Sequence, residues 1–182
     1  MKSRHKTMSP GFSKLRREIE PRWVAEYVSE TYGQYPASFR VPLGGIPPQL
    51  IDVYGQRKAT RVYRPSRPEA DAIIFLPDRL ILLEAKIFKV TDGLGSLRMY
   101  RDLMPDTPEL ADYKDLPIRA ELLTVQPLPW VLQAAEKADI HIIRYAPDWI
   151  REIWEERDKY WTKEHMAKRE ERKRILKEHG YV

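Results

Sequence analysis

Residues 69–100 read EADAIIFLPDRLILLEAKIFKVTDGLGSLRMY, and this stretch decides the fold. Two runs rich in branched apolar residues, 70–76 and 79–90, flank Pro77-Asp78, a pair of turn-forming residue types, so the stretch predicts two strands joined by a tight turn. Both runs belong at the centre of a sheet. Gly93 and Gly95 then punctuate the passage into a helix carrying Leu94, Leu97, Met99, Tyr100 and Leu103, which Met104-Pro105 ends.

Outward from this stretch, residues 106–116 read as loop or broken helix. A strand follows at 118–125, then a helix opened by Pro127 and Pro129 and running to Lys137, and a strand at 139–145. Strands alternating with helices predict an α/β domain built on a mixed central sheet flanked by helices. Upstream, Leu15, Ile19, Trp23 and Tyr27, with Val24 and Val28, recur at three- and four-residue spacing and predict a helix over 13–32. Pro21 either kinks it or marks a new start near Glu20, and Gly33 stops it. SFRVPL at 38–43 alternates and predicts a short strand, after which Gly44-Gly45 and Pro47-Pro48 force a loop. Between 49 and 68 we expect weak strands at 50–54 and 59–63 about a basic turn at Gln56-Arg57-Lys58.

A chain of 182 residues suffices for one domain with a hydrophobic core. We expect a flexible basic arm at 1–12, a domain at 13–146 and a long helix at 147–182. Pro147 opens that helix, and no proline or glycine interrupts it before Gly180. About 30 helical residues span about 45 Å, more than a small domain's width. Trp149, Ile150, Ile153, Trp154 and Trp161 give its first half an apolar face, whereas Met166, Ala167, Ile175 and Leu176 are all the second half offers. The second half is therefore expected to project, supported by charges alternating in sign, with a surface for a partner or for nucleic acid as the alternative.

With no cysteine, disulfides and thiolate metal sites are excluded, which fits a reducing, intracellular compartment. The four histidines lack ligand spacing. No apolar run approaches the roughly 20 residues of a membrane span. Lys2, Arg4, Lys6, Lys14, Arg16, Arg17 and Arg22 against Glu18 and Glu20 account for the whole net charge of +5, and such an arm suits phosphates.

Side chains two apart on a strand share a face, so Glu84 and Lys86 point one way and Ala85 the other. Asp71 on the neighbouring strand then brings a second carboxylate to the same spot, provided the hairpin register holds. Magnesium takes one or two carboxylates and keeps several waters, and Asp71 and Glu84 with the backbone carbonyl of Ala85 form such a set. Lys86 would orient water or offset charge at a phosphorus under attack. A salt-bridge ladder on a solvated face is the plain alternative, but the flanking Ile-Leu-Leu and Ile-Phe are apolar on both faces, and burying a charge pair there is costly.

Asp71, thirteen positions later Glu84-Ala85-Lys86 on an apolar strand, and the helix beyond resemble the PD-(D/E)xK nuclease superfamily. The helix resembles the Q-x-x-x-Y element of its exonuclease branch, with Tyr100 in place and Ser96 where glutamine would stand; Ala70 replaces the usual proline. The resemblance implies a restriction-endonuclease-like sheet and metal ligation by Asp71, Glu84 and Ala85 with Mg2+ or Mn2+. It also implies a catalytic Lys86, a site role for Tyr100, and a further acid from Glu26, Glu20 or Glu69. Hydrolysis of phosphodiester bonds in DNA follows, with phosphates met by Arg16, Arg17, Arg57, Lys58, Lys89, Arg98 and Arg101. The other reading is a non-catalytic structural or assembly protein, for instance in a viral particle, that keeps the fold as scaffold and meets a protein partner or a second copy through its last helix. Location follows from that choice: cytoplasmic, or virion-associated.

Overall fold

The computed structural model describes residues 11–158 and 163–180, with side chains over 19–155, 166–167 and 169–180. These residues fall into two compact units that divide between Tyr145 and Ala146.

The first unit is an α/β fold on a five-stranded mixed sheet ordered β1 (Ala37–Pro42), β2 (Glu69–Phe75), β3 (Leu80–Lys86), β4 (Ile118–Thr124) and β5 (Ile140–Arg144). β1, β2 and β3 pair antiparallel, β2 and β3 through a tight turn and β1 and β2 through a long segment that carries two helices, while β3, β4 and β5 pair parallel. Parallel pairs need long crossovers, and α4 (Val90–Leu103) and α5 (Pro129–Lys137) supply them. Leu82, Leu122 and Ala120 gather with Leu97 and Tyr100 of α4 in the main core. Glu121 alternates with these residues and so faces the other layer, where Tyr27 and Tyr32 of α1 (Gly11–Tyr32) reach it.

Helices replace the two weak strands expected between 49 and 68. Residues Pro48–Tyr54 form α2 and Gln56–Tyr63 form α3, with Gly55 at φ 72 between them. Pro48 starts α2, where its fixed φ suits a helix and its missing N–H is not needed. Gly55 closes one helix by donating to Ile51 O and opens the next by accepting from Ala59 N. Pro21 lies inside one continuous α1, whose inward face buries Trp23, Val24, Tyr27 and Val28 and so offsets the lost backbone bond. β3 ends at Lys86 rather than continuing to 90, because its ladder partner Thr124 is the last residue of β4. The broken helix expected over 106–116 is a pair of 3-10 turns, Met104–Asp106 and Pro108–Tyr113. Arg67, its side chain 2% exposed, clamps that segment with two bonds of 2.7 Å to Glu109 and one of 2.8 Å to Pro42 O.

In the second unit, α6 (Asp148–Asp158) and α7 (Lys163–Glu178) carry the sign-alternating charges. Arg151–Asp148 and Lys173–Glu170 pair three apart and Arg174–Glu178 four apart, as on a solvated helix. The unbroken helix expected from 148 onwards includes residues 159–162, which lie outside the described residues, and so does Trp161. No helix among the described residues is long and apolar enough to cross a membrane.

Candidate active site

The hairpin register decides whether Asp71 meets Glu84, and it is in place. Ala72 pairs with Leu83, which sets Asp71 opposite Glu84 one position further along. Asp71 Oδ2 accepts the Ala85 N–H at 2.8 Å. On an extended strand the N–H and C=O of one residue point to the same neighbour, so the Ala85 carbonyl is also directed toward Asp71's strand. Opposite Asp71 on its other side, Arg40 leaves the β1–β2 ladder with a left-handed φ of 51, a conformation that costs a non-glycine residue about 1 kcal/mol or more.

Glu84 is 3% exposed and Lys86 closes on it, Nζ to Oε1, at 2.6 Å. The second oxygen, Glu84 Oε2, is buried and receives no hydrogen bond from a donor group of the chain, and the Asp71 carboxylate is its group's other charged neighbour. Burial, and then repulsion from Asp71, pushes the Glu84 carboxyl up to about 8, with the Lys86 ammonium opposing both. Burial also works against the Lys86 charge, but the Glu84 and Asp71 carboxylates outweigh it and hold the ammonium above its usual value. Tyr100 is buried within electrostatic reach of Glu84; burial first, then Glu84, raises its hydroxyl, while Ser96 approaches it from one turn away.

Of the acids proposed to join the set, the structure separates three. Glu20 of α1 acts on Lys86 electrostatically. Glu26 instead accepts the Tyr145 hydroxyl at 3.1 Å, one turn from Glu30, which accepts the same hydroxyl at 2.8 Å. Glu69 shares the strand face of Asp71 but is drawn off by Arg40 at 3.0 Å and Arg64 at 3.4 Å, two cations that share its one carboxylate. Of the three, Glu20 is the one within electrostatic reach of Lys86.

Two residues beside Lys86 were not read from the sequence as part of the site, Thr124 and Gly93, the second taken there only as punctuation before a helix. Thr124 ends β4 beside Lys86 in the parallel register, fully buried, with its Oγ1 unpartnered. Only the β3–β4 register brings it there. Gly93, in the first turn of α4, leaves room for the lysine stem: a Cβ there would stand 3.1 Å from Lys86 Cγ and 2.5 Å from Leu122 Cδ1. A glycine buried inside a helix was the available signal.

The proposed phosphate-binding cations scatter. Arg57 and Lys58 are exposed on α3, and Lys89 is exposed just beyond Lys86 with Asp92 at 4.0 Å. Arg98 and Arg101 border a depression with Lys137 between α4 and α5. Arg101 lies about 12 Å further along the helix than Gly93 and donates to Asp139 O at 2.6 Å, so it serves the α5–β5 connection rather than the carboxylates. The side chains of Arg16 and Arg17 lie outside the described residues.

Among the described residues, no three His, Asp or Glu side chains gather as a ready metal cage. Two facing carboxylates with one orphaned oxygen fit a hard cation that keeps most of its waters, and suit magnesium better than zinc.

No protein-family model matches the chain, and no curated protein does. Among solved structures it is similar to a repair endonuclease from Pyrococcus abyssi, with 13% identity and a TM-score of 0.45, over 80% of this chain and 50% of that one. The chain thus spans half the length of that structure.

Proposed function

We propose that this protein is a metal-dependent nuclease that hydrolyses phosphodiester bonds in DNA, with Asp71, Glu84 and Lys86 at its centre. The observation that carries the reading is the meeting of two carboxylates, Asp71 and Glu84, in a buried spot where Glu84 Oε2 receives no hydrogen bond from a donor group of the chain. Leaving such an atom unsatisfied is costly, and a bound cation removes the cost. Asp71 and Glu84 would hold Mg2+ or Mn2+, helped by the Ala85 carbonyl. When bound, the ion supplies Lewis-acid stabilisation of the phosphoryl oxygens.

The chain's own residues do the rest. Lys86, kept protonated by its carboxylate neighbours, offsets negative charge that builds on phosphorus as water attacks. A raised ammonium is a poor base, so charge stabilisation suits it better than proton removal. The Asp71 bond to Ala85 N–H fixes its carboxylate against rotation. Glu20 adds negative charge from α1, and Tyr100 walls the site with its ring.

The test is direct. The protein is incubated with linear, circular and single-stranded DNA, with magnesium, manganese or chelator, beside Lys86→Ala and Asp71→Ala. Cleavage that requires metal and is lost in both variants supports the reading. No metal-dependent cleavage, or cleavage unchanged in both, sinks it.

A second reading, assembly through the last helix, draws on Met166, Ile175 and Leu176, which α7 leaves exposed. Removing the residues after Tyr160 would then change the mass in solution or the recovery of partners. If neither changes, that reading fails.

A further inference from the structure

The hairpin of α2 and α3 carries exposed apolar, aromatic and basic side chains together. Val53, Tyr54 and Val62 are exposed, Tyr54 by 42%. Arg57, Lys58 and Arg61 are exposed around them, and among the described residues none of the three has a carboxylate partner. The Lys58 ammonium sits 4.9 Å from the centre of the Tyr54 ring, a cation–π contact that fixes the ring in the basic patch.

The position of the hairpin gives the patch its meaning. β1 leaves the sheet at Pro42, which pairs with Glu69 at the start of β2, two residues before Asp71. The segment carrying the hairpin therefore departs from and returns to the end of the β1–β2 pair near which Asp71 lies. Arg64, just past α3, ties it down by donating to Arg40 O at 3.2 Å and to Glu69 at 3.4 Å. Arg67 adds its buried bonds to Pro42 O and Leu43 O.

We propose that the α2–α3 hairpin binds a single nucleic-acid strand, with Tyr54 stacking on an unpaired base and Arg57, Lys58 and Arg61 taking its phosphates. An aromatic ring stacks on a base only where the base's face is open, as in a single strand or a frayed end. Arg57 and Arg61 lie one turn apart, about 6 Å along the helix, a spacing that suits neighbouring phosphates of one strand. The mixed surface favours this occupant over a protein: the apolar residues are few, and the three cations without a carboxylate partner outweigh the one exposed carboxylate of the hairpin, Asp52. The inference deepens the nuclease reading, on which its link to cleavage rests, by naming the substrate as a strand with unpaired bases beside the carboxylates.

The experiment measures fluorescence anisotropy of a labelled oligothymidylate and of a blunt duplex with the full chain in chelator, where no metal-dependent cleavage occurs. The single strand should bind more tightly than the duplex. Tyr54→Ala should weaken it by about tenfold, while Tyr54→Phe keeps the affinity. Arg57→Gln with Arg61→Gln should lower the slope of log affinity against log salt by about 1.4. Circular dichroism checks that each exposed-site variant is folded. Equal binding of duplex and single strand, an unchanged Tyr54→Ala, or no binding of either nucleic acid overturns the proposal. The two readings fail separately. Tyr54-dependent binding without metal-dependent cleavage ends the nuclease reading alone, and cleavage with Tyr54-independent binding ends this one alone.

Discussion

The Lys86 ammonium lies 2.6 Å from Glu84 Oε1, while Oε2 of the same carboxylate is buried without a partner. One half of the group is satisfied by the chain and the other half is not. A purely structural ion pair would gain nothing from a second carboxylate set against the first, since burial and repulsion from Asp71 both disfavour the Glu84 charge. The arrangement fits a site that a cation completes.

If Lys86 acts by its charge, its variants separate. Lys86→Ala should lower metal-dependent cleavage by about a hundred- to a thousandfold, the usual loss when a charge-stabilising donor is removed. Lys86→Arg keeps a cation and should retain part of the rate, with a pH profile unshifted on its basic side. Cleavage kinetics across pH read this out. A rate limb that follows titration of residue 86 near neutrality would make it a base instead.

Glu84 makes metal-free stability depend on pH. Its carboxyl holds its proton up to about 8 in the folded chain, against 4.5 ordinarily. The folded state thus binds the proton more tightly than the unfolded one, so the stabilisation is full below the ordinary value and drains away as pH rises toward 8. Urea melts in chelator at about pH 5.5 and 8.5 should show the wild type losing stability relative to Glu84→Gln. Magnesium at the higher pH should restore the wild type and leave Glu84→Gln unmoved. Parallel pH curves for the two proteins would contradict the assignment.

The Asp71–Glu84 meeting was legible because it depends on local signals: a Pro77-Asp78 turn and two apolar runs fix a hairpin register within 16 residues. The hairpin of α2 and α3 was not. LIDVY and ATRVY hold β-branched residues in short runs whose period is ambiguous, and Pro48 at a helix start was the one sign that pointed the right way. The choice between Glu20 and Glu26 lay beyond the sequence because Tyr145, 119 residues from Glu26, engages it. Thr124 was hidden for the same reason, since parallel pairing joins it to Lys86 across a helical crossover.

On the opposite face of the sheet, Glu121 is fully buried and accepts Tyr32 OH at 2.9 Å and Tyr27 OH at 3.3 Å. Arg119 Nε stands 3.0 Å away as an ion pair, though its N–H is off the hydrogen-bond line. Burial, then Glu121, pushes the Tyr32 hydroxyl up to about 12 and Tyr27 higher still, so both stay donors. These bonds fasten α1, and with it Glu20, to β4. Tyr32→Phe should cost about 1 kcal/mol, and Glu121→Ala about 3 kcal/mol by stranding its partners. Urea unfolding measures both, and a neutral Glu121→Ala would show that α1 is held by its apolar face alone.

Thr124 offers a test in which stability and activity move in opposite directions. Its hydroxyl is buried, unpartnered and next to Lys86 in the ladder. A buried hydroxyl without a partner destabilises the fold by about 1–3 kcal/mol, so Thr124→Val, nearly the same shape, should raise the melting temperature. If the hydroxyl instead waits to bond a water or a phosphate oxygen at the Lys86 end of the site, the same change should slow metal-dependent cleavage by about tenfold or more, as loss of one polar contact does. A variant that is more stable and slower assigns Thr124 to the site. One that is more stable and equally fast leaves its hydroxyl a packing defect, and one that is less stable means the hydroxyl has a partner in solution.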